Sequence, residues 1–193
     1  MHPFHFYINK HVSSPLSEEE FEWVLSHFHF KKLRKKQFLL EDEQICKYMA
    51  FILKGSMCKY YMDEKGTGHI VNLYIENWWA SDRESFVTST PSAYYVEAYE
   101  DCEVLLISRA NLLKLCKESS IFHELIFILD ERNSIATQKR IISSINFSAV
   151  ERYADFIERH PYFVQRFPQH IIASYLGVTK DTISRVRKVS VKR

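Results

Sequence analysis

The chain has 193 residues, with 26 Lys/Arg against 24 Asp/Glu, 46% hydrophobic residues and a formal charge of +2. That balance fits a soluble globular protein of one large or two small domains and excludes a disordered or low-complexity chain. No apolar run reaches the roughly 18 residues needed to span a bilayer, and Met1-His2-Pro3-Phe4-His5-Phe6 has no basic region leading into an apolar stretch, so no signal peptide and a cytoplasmic location are expected.

The first predicted element is a helix over Ser17–Leu33. Ser17 and Glu20 form a capping box, and Phe21, Val24, Leu25 and Phe28 make a core-facing stripe at helical spacing. The histidines nearby, His2, His5, His27 and His29, lack a convincing set of four ligands and read as surface residues. Lys31, Lys32, Arg34, Lys35 and Lys36 read as a solvated entry to the next region.

From Gln37 to Ser108 the pattern changes to short β-prone runs. Phe38–Leu40, Tyr48–Leu53, Met57–Tyr61, His69–Tyr74, Tyr94–Ala98 and Val104–Ile107 are rich in aromatic and aliphatic residues, and Asp63–Gly68 is a hairpin turn between two of them. Several strands at this spacing predict a closed sandwich or barrel. Cys46, Cys58, Cys102 and Cys116 have no C-x-x-C spacing and are expected to be free, buried thiols. No metal site and no pairing of a nucleophile with a base is found, which points away from an enzyme.

Helix returns at Ser108. Ser108 caps a short helix over Arg109–Lys117, and a longer one runs from Ser119 or Ser120 to about Ile145. Ile121, Leu125, Ile128, Ile135 and Ile142 follow a coiled-coil-like spacing, interrupted by Arg132 and Lys139, that suits a partner helix or the protein's own body. A helix over Ser148–His160 follows, with Ser148 and Glu151 as its capping box and Pro161 as its stop. From Ser148 onward nine basic residues face four acidic ones, a basic end on an acidic body that suits a polyanion partner.

The last segment, Pro168 to Lys188, has the layout of a helix-turn-helix. Ile171, Ile172 and Leu176 point inward, Ala173 permits a close crossing, and Gly177 ends the first helix. Val178 plugs the core, Thr179 caps the second helix with Thr182 three residues on, and Ile183 and Val186 are its buried positions. Lys180, Asp181, Ser184, Arg185, Arg187 and Lys188 remain outside. Arg185 suits a bidentate contact to guanine, Lys180 a guanine edge or a phosphate, and Asp181 a cytosine amino group. Gln169, Thr182, Arg187 and Lys188 suit phosphate contacts.

Ile172–Thr179, followed by Thr182-Ile183-Ser184-Arg185, resembles the DNA-binding motif of the cyclic-AMP receptor protein and fumarate–nitrate regulator (Crp/Fnr) superfamily. Tyr48-Met49-Ala50-Phe51-Ile52-Leu53-Lys54-Gly55-Ser56 resembles the strand–glycine signature of its cyclic-nucleotide-binding roll. The resemblance covers roughly residues 15–190 and implies an α+β fold in three parts. Residues 1–118 would form a double-stranded β-helix, a jelly-roll-like β-roll, with its N-terminal helix. Residues 119–145 would form a dimerisation helix, and 146–193 a winged-helix-like helix-turn-helix with only Tyr162–Phe167 left for the wing. It implies a homodimer on pseudo-palindromic double-stranded DNA, with RNA polymerase as a further partner and no membrane.

The departures are equally informative. The family's nucleotide pocket uses a Gly-Glu pair and an Arg-Ser or Arg-Thr pair, and the matching positions here are Ser81-Asp82 and Ser92-Ala93. With no arginine at Ser92, a buried phosphate has no cation unless Arg83 swings in, so tight binding of cyclic AMP is not expected. Neither an iron–sulfur cluster nor haem is indicated, and no cofactor is identified. Trp78 and Trp79, with Ser81, Asp82 and Arg83, either line a cavity for an unknown effector or fill the space of a lost ligand. The rival reading is a ligand-binding or interaction module whose helical end docks protein.

Overall fold

The computed structural model describes residues 1–179 and 181–184. Two helices, α1 (Pro3–His11) and α2 (Glu18–Leu25), lead into strands β1 (His29–Leu33), β2 (Phe38–Leu40), β3 (Tyr48–Lys54), β4 (Met57–Met62), β5 (Gly68–Tyr74) and β6 (Trp79–Ala80). Helix α3 (Arg83–Thr88) separates these from β7 (Tyr95–Ala98) and β8 (Cys102–Ser108). Helices α4 (Arg109–Glu118), α5 (Ser120–Asn146), α6 (Ala149–Arg159), α7 (Pro161–Arg166) and α8 (Gln169–Leu176) follow.

The strands form two antiparallel sheets, in the orders β1-β8-β3-β6 and β2-β7-β4-β5, that face each other as a jelly-roll-like β-roll. Strand β3 sits between β8 and β6, and Met49, Ala50, Phe51 and Ile52 are all buried, as expected of a strand covered on both faces. The predicted hairpin joins β4 to β5. The Asp63 carboxylate accepts the Lys65 and Thr67 amides at 3.0 and 2.8 Å, which fixes the turn. The turn after β3 requires glycine. Gly55 has φ +96°, and a Cβ there would lie 2.5 Å from the Asp101 carbonyl oxygen and 2.7 Å from Cys102 Sγ.

One large core fills the roll and runs out beneath α1, α2, α4 and the first turns of α5. Phe4, Phe21, Phe51 and Phe122 are among its fully buried side chains, each contributing about 1.5–3 kcal/mol relative to exposure. A second cluster lies on the outer face of the β4–β5 hairpin. There Cys58 and Leu73 pack with Tyr153, Phe156, Phe163, Phe167, Ile172, Ala173 and Ile183 of the C-terminal helices.

Several expectations change. The helix from Ser17 stops at Leu25, and His29–Leu33 is an edge strand paired with β8. Its capping box forms as expected. Helix α1 was not anticipated. Pro3 starts it, His2 Nδ1 accepts the Phe4 amide at 3.1 Å, and Phe4 packs 4.6 Å from the Phe51 ring. His5 and His27 are buried, not on the surface: His5 stacks on Phe21 at 4.4 Å and reaches the Leu16 carbonyl at 2.9 Å, while His27 meets the Trp23 carbonyl at 2.9 Å. Tyr162–Phe167 is not a shortened hairpin, because Pro161–Arg166 is helical and brings Phe163 onto the second cluster. Cys46, Cys58 and Cys102 are buried and Cys116 is half-buried, all free. Burial pushes the Cys58 thiol up to about 12 and the Cys102 thiol to about 11, which makes both unreactive.

Candidate effector cavity and nucleic-acid interface

A cavity of about 680 Å³ opens between α1, the roll and α5. Trp78, Trp79, Ser81 and Arg83 line it, so the two tryptophans form its wall without closing it. Arg83 pairs with Asp130 of α5. Asp82 and Ser92 are buried and absent from the lining, while Ala93 is exposed and turned away.

Asp82 and Ser92 meet a residue that the sequence did not single out. Lys59 Nζ donates to one Asp82 carboxylate oxygen at 2.8 Å, and Ser92 Oγ donates to the other at 2.8 Å. The ammonium also lies 4.1 Å from the centroid of the Tyr94 ring. The side chains of Lys59 and Asp82 are 11% and 6% exposed, so this is a buried ion pair with its hydrogen bonds met. The roll therefore does hold a cation near these positions, but an internal carboxylate already occupies it.

The C-terminal helices rest on the hairpin through polar contacts as well as the second cluster. Ser174 Oγ of α8 accepts the Ile70 amide at 2.9 Å. From α5, the Arg140 guanidinium donates to the Val71 carbonyl at 2.6 Å and lies 5.4 Å from the centroid of the Tyr175 ring. Arg166 lies between two acids, donating to Glu76 at 3.0 Å and binding Glu100 through both Nε and Nη2. Glu76 also accepts the Gly55 amide at 2.8 Å, which ties the glycine turn of the roll to α7. Hydrogen bonds from Arg166 hold the Glu100 carboxyl below its ordinary value. At Glu76 burial acts upward, and the bonds from Arg166 and the Gly55 amide outweigh it, so that carboxyl also lies low.

The helix-turn-helix forms as far as the described residues reach. Ile172 and Ala173 are buried, and Ile171, Leu176 and Val178 pack partly against them. Gly177 takes φ +63° at the end of α8, and the Val178 amide donates back to the Ala173 carbonyl at 3.0 Å. Thr179 Oγ1 accepts the Thr182 amide at 3.2 Å, which starts the second helix, and Ile183 is fully buried. Thr179 and Asp181 are exposed, while Gln169, Thr182 and Ser184 are half-buried. Lys180, Arg185, Val186, Arg187 and Lys188 lie outside the described residues.

The seam on α5 divides. Leu125 is fully buried in the chain's own core, and Ile121 is half-buried against that core. Ile128 is half-buried, whereas Ile135 and Ile142 are about half exposed and continue into exposed Ile141 and Ile145. The first two turns are held by the roll, and the later turns present an apolar face to solvent.

The chain thus carries a β-roll, a long helix and the start of a helix-turn-helix, in that order. Residues 30–119 match the family described as the cyclic nucleotide-binding domain. Over 190 residues the chain is 23% identical to the cAMP-activated global transcriptional regulator CRP of Salmonella typhimurium, covering 92% of this chain and 90% of that protein. Among solved structures it is similar to FixK2 from Bradyrhizobium japonicum (TM-score 0.70, 18% identity, 83% of each chain). It is similar also to a CooA variant from Carboxydothermus hydrogenoformans (TM-score 0.70, 19% identity, 91% of this chain and 81% of that one). Residues 30–119 thus carry the cyclic nucleotide-binding domain, and along most of its length the chain is similar to CRP-type transcription regulators.

Proposed function

We propose that the chain acts as a homodimer that binds a pseudo-palindromic duplex through the helix beginning at Thr179, and that its roll does not bind cyclic AMP tightly. The observation that carries the DNA-binding reading is the turn itself. Gly177 at φ +63°, the Thr179 cap and the buried Ile183 hold the described first turn of a second helix, 181–184, against α8 with Asp181 exposed. Lys180, Asp181, Ser184 and Arg185 are the residues assigned to base edges, and Gln169, Thr182, Arg187 and Lys188 those assigned to phosphates. The apolar face from Ile135 to Ile145 on α5 is the surface assigned to a second copy. RNA polymerase is the further partner that the resemblance implies.

The case against cyclic AMP rests on Lys59. A cyclic phosphate needs a cation, and this one is bound to Asp82, which Ser92 also engages. Inserting a phosphate would separate a buried pair and leave a carboxylate uncompensated.

Selection of bound duplexes from a random pool tests the proposal. A site with two-fold symmetry is expected, and Arg185→Ala is expected to cost roughly 1–3 kcal/mol on it and to relax base choice at one position of each half-site. Equal loss on every sequence would make Arg185 a phosphate contact. Recovery of no duplex, with affinity for protein instead, would support the docking-module reading.

A further inference from the structure

We infer that the cavity between α1, the roll and α5 binds a small aromatic carboxylate, held by Lys10 of α1 and Arg132 of α5. This goes beyond the function proposed above and does not depend on DNA binding.

Size and wall come first. About 680 Å³ is within the range of small-molecule sites, and it would hold a fused bicyclic ring with room to spare. Tyr7, Tyr74, Trp78 and Trp79 supply aromatic walls, with Met49, Ile126 and Leu129 as further apolar lining. Planar apolar surface is what such a wall buries best. The Trp79 indole N–H is buried at this wall, where it interacts with the Tyr7 hydroxyl.

Charge decides the ligand's sign. Lys59 lines the cavity but is bound to Asp82, and Arg83 is bound to Asp130. Lys10 and Arg132 also line it, and among the described residues neither makes an ion pair. Arg132 is near enough to Tyr7 for its charge to act on the phenol. Among the described residues, two cations without an ion pair thus stand on separate helices around an aromatic hollow. A guanidinium fork matches a carboxylate in a bidentate pair, and the lysine adds a point charge. Asn72, Asn77 and Asn133 can complete the polar contacts. These cations come from the flanking helices, so the site differs in its charged groups from the phosphate positions of the roll, which Lys59, Asp82 and Ser92 close off.

The cavity also adjoins the DNA-reading end. Trp78 lines it and packs edge-on against Phe163 of α7, with ring centroids 5.5 Å apart. A ligand against this indole meets a residue that also touches α7.

Calorimetric titration of the full chain with 2-naphthoate and its uncharged isostere 2-naphthamide tests the inference. Naphthoate is expected to bind one per chain and about tenfold or more tighter than the amide. That preference should fall to about twofold or less in Lys10→Gln/Arg132→Gln, while the amide's affinity is unchanged. Both side chains are exposed, so the variant should fold. Equal affinity for acid and amide, a preference that survives the double substitution, or no binding of either probe up to about 1 mM would overturn the inference. Cyclic AMP binding more tightly than naphthoate, and weakening in the same variant, would overturn it too. Loss of duplex binding, measured separately, would count against the regulator reading alone.

Discussion

Replacing Asp82 by alanine strands the Lys59 ammonium inside the roll. The pair is 2.8 Å apart, and both side chains are about nine-tenths buried. Removing one member of a buried pair costs about 3–5 kcal/mol, because the remaining charge stays desolvated and unpaired. Lys59 keeps the Tyr94 ring at 4.1 Å, a contact worth roughly 0.5–2 kcal/mol, so the lower end of that range is expected. Asp82 precedes α3 without capping it through its side chain, so no cap is lost. At about 2–4 °C per kcal/mol for a chain of this size, Asp82→Ala should lower Tm by roughly 6–12 °C. The double variant Lys59→Met/Asp82→Ala removes both charges. It leaves Ser92 Oγ the Tyr94 amide, which donates to it at 3.0 Å, and should cost only about 1–2 kcal/mol. Urea unfolding of the wild type, the two single variants and the double variant measures the coupling, expected to be about 2 kcal/mol or more. A cost under about 1 kcal/mol for Asp82→Ala, or a double variant that loses the sum of the two singles, would refute a buried, coupled pair.

Gly55→Ala should destabilise the roll by on the order of 2–3 kcal/mol, since the new Cβ meets backbone at 2.5 Å and φ is +96°; urea unfolding reads it. Arg166→Ala should loosen α7 and α8 from the hairpin by about 1–2 kcal/mol, a figure kept low because the three side chains are about one-third exposed, and amide exchange over residues 161–176 should show it. The same contact fixes a pH dependence. Glu76 and Glu100 are held below their ordinary 4.5, so their contribution is present above pH 4.5 and lost as pH falls through the lower folded values. The wild type should lose protection of these helices below pH 4.5, and Arg166→Ala should lose much less over that window. Ile142→Asp should shift the chain toward monomer in sedimentation with the roll's unfolding unchanged, whereas an unchanged mass would place the dimer elsewhere.

Where local chemistry decides structure, the sequence was readable. The Asp63–Gly68 hairpin, the capping boxes at Ser17/Glu20 and Ser148/Glu151, and the turn from Gly177 to Thr182 each carry their own signal and fold as expected. The exceptions depend on tertiary context. His29–Leu33 has four exposed residues out of five, so it lacks the alternation of a half-buried strand and is a strand only because β8 pairs with it. Helix α1 has a mixed pattern, and its place is set by Phe4 and Ile8 entering a core built from distant segments. Lys59 stands in an aromatic strand where alternation with buried Cys58 would turn it outward; yet Met57, Cys58 and Lys59 are all buried, because the C-terminal helices cover the other face of the hairpin. The sequence grouped Asp82 with Ser92, and the two do meet, but the lysine that joins them was not legible. On α5 the spacing marked one apolar line, and only the fold shows that the roll takes Ile121 and Leu125 while Ile135 and Ile142 stay outside.

The central claim is that two copies of the chain present their Thr179 helices to one duplex. Anisotropy titration of a selected full site and of its isolated half-site, across a range of salt, tests it most directly. Two chains per full site are expected, with much weaker binding to the half-site and an affinity that falls steeply and linearly on a log–log plot against salt. One chain per duplex with equal affinity for both DNAs, or binding indifferent to salt, would contradict it.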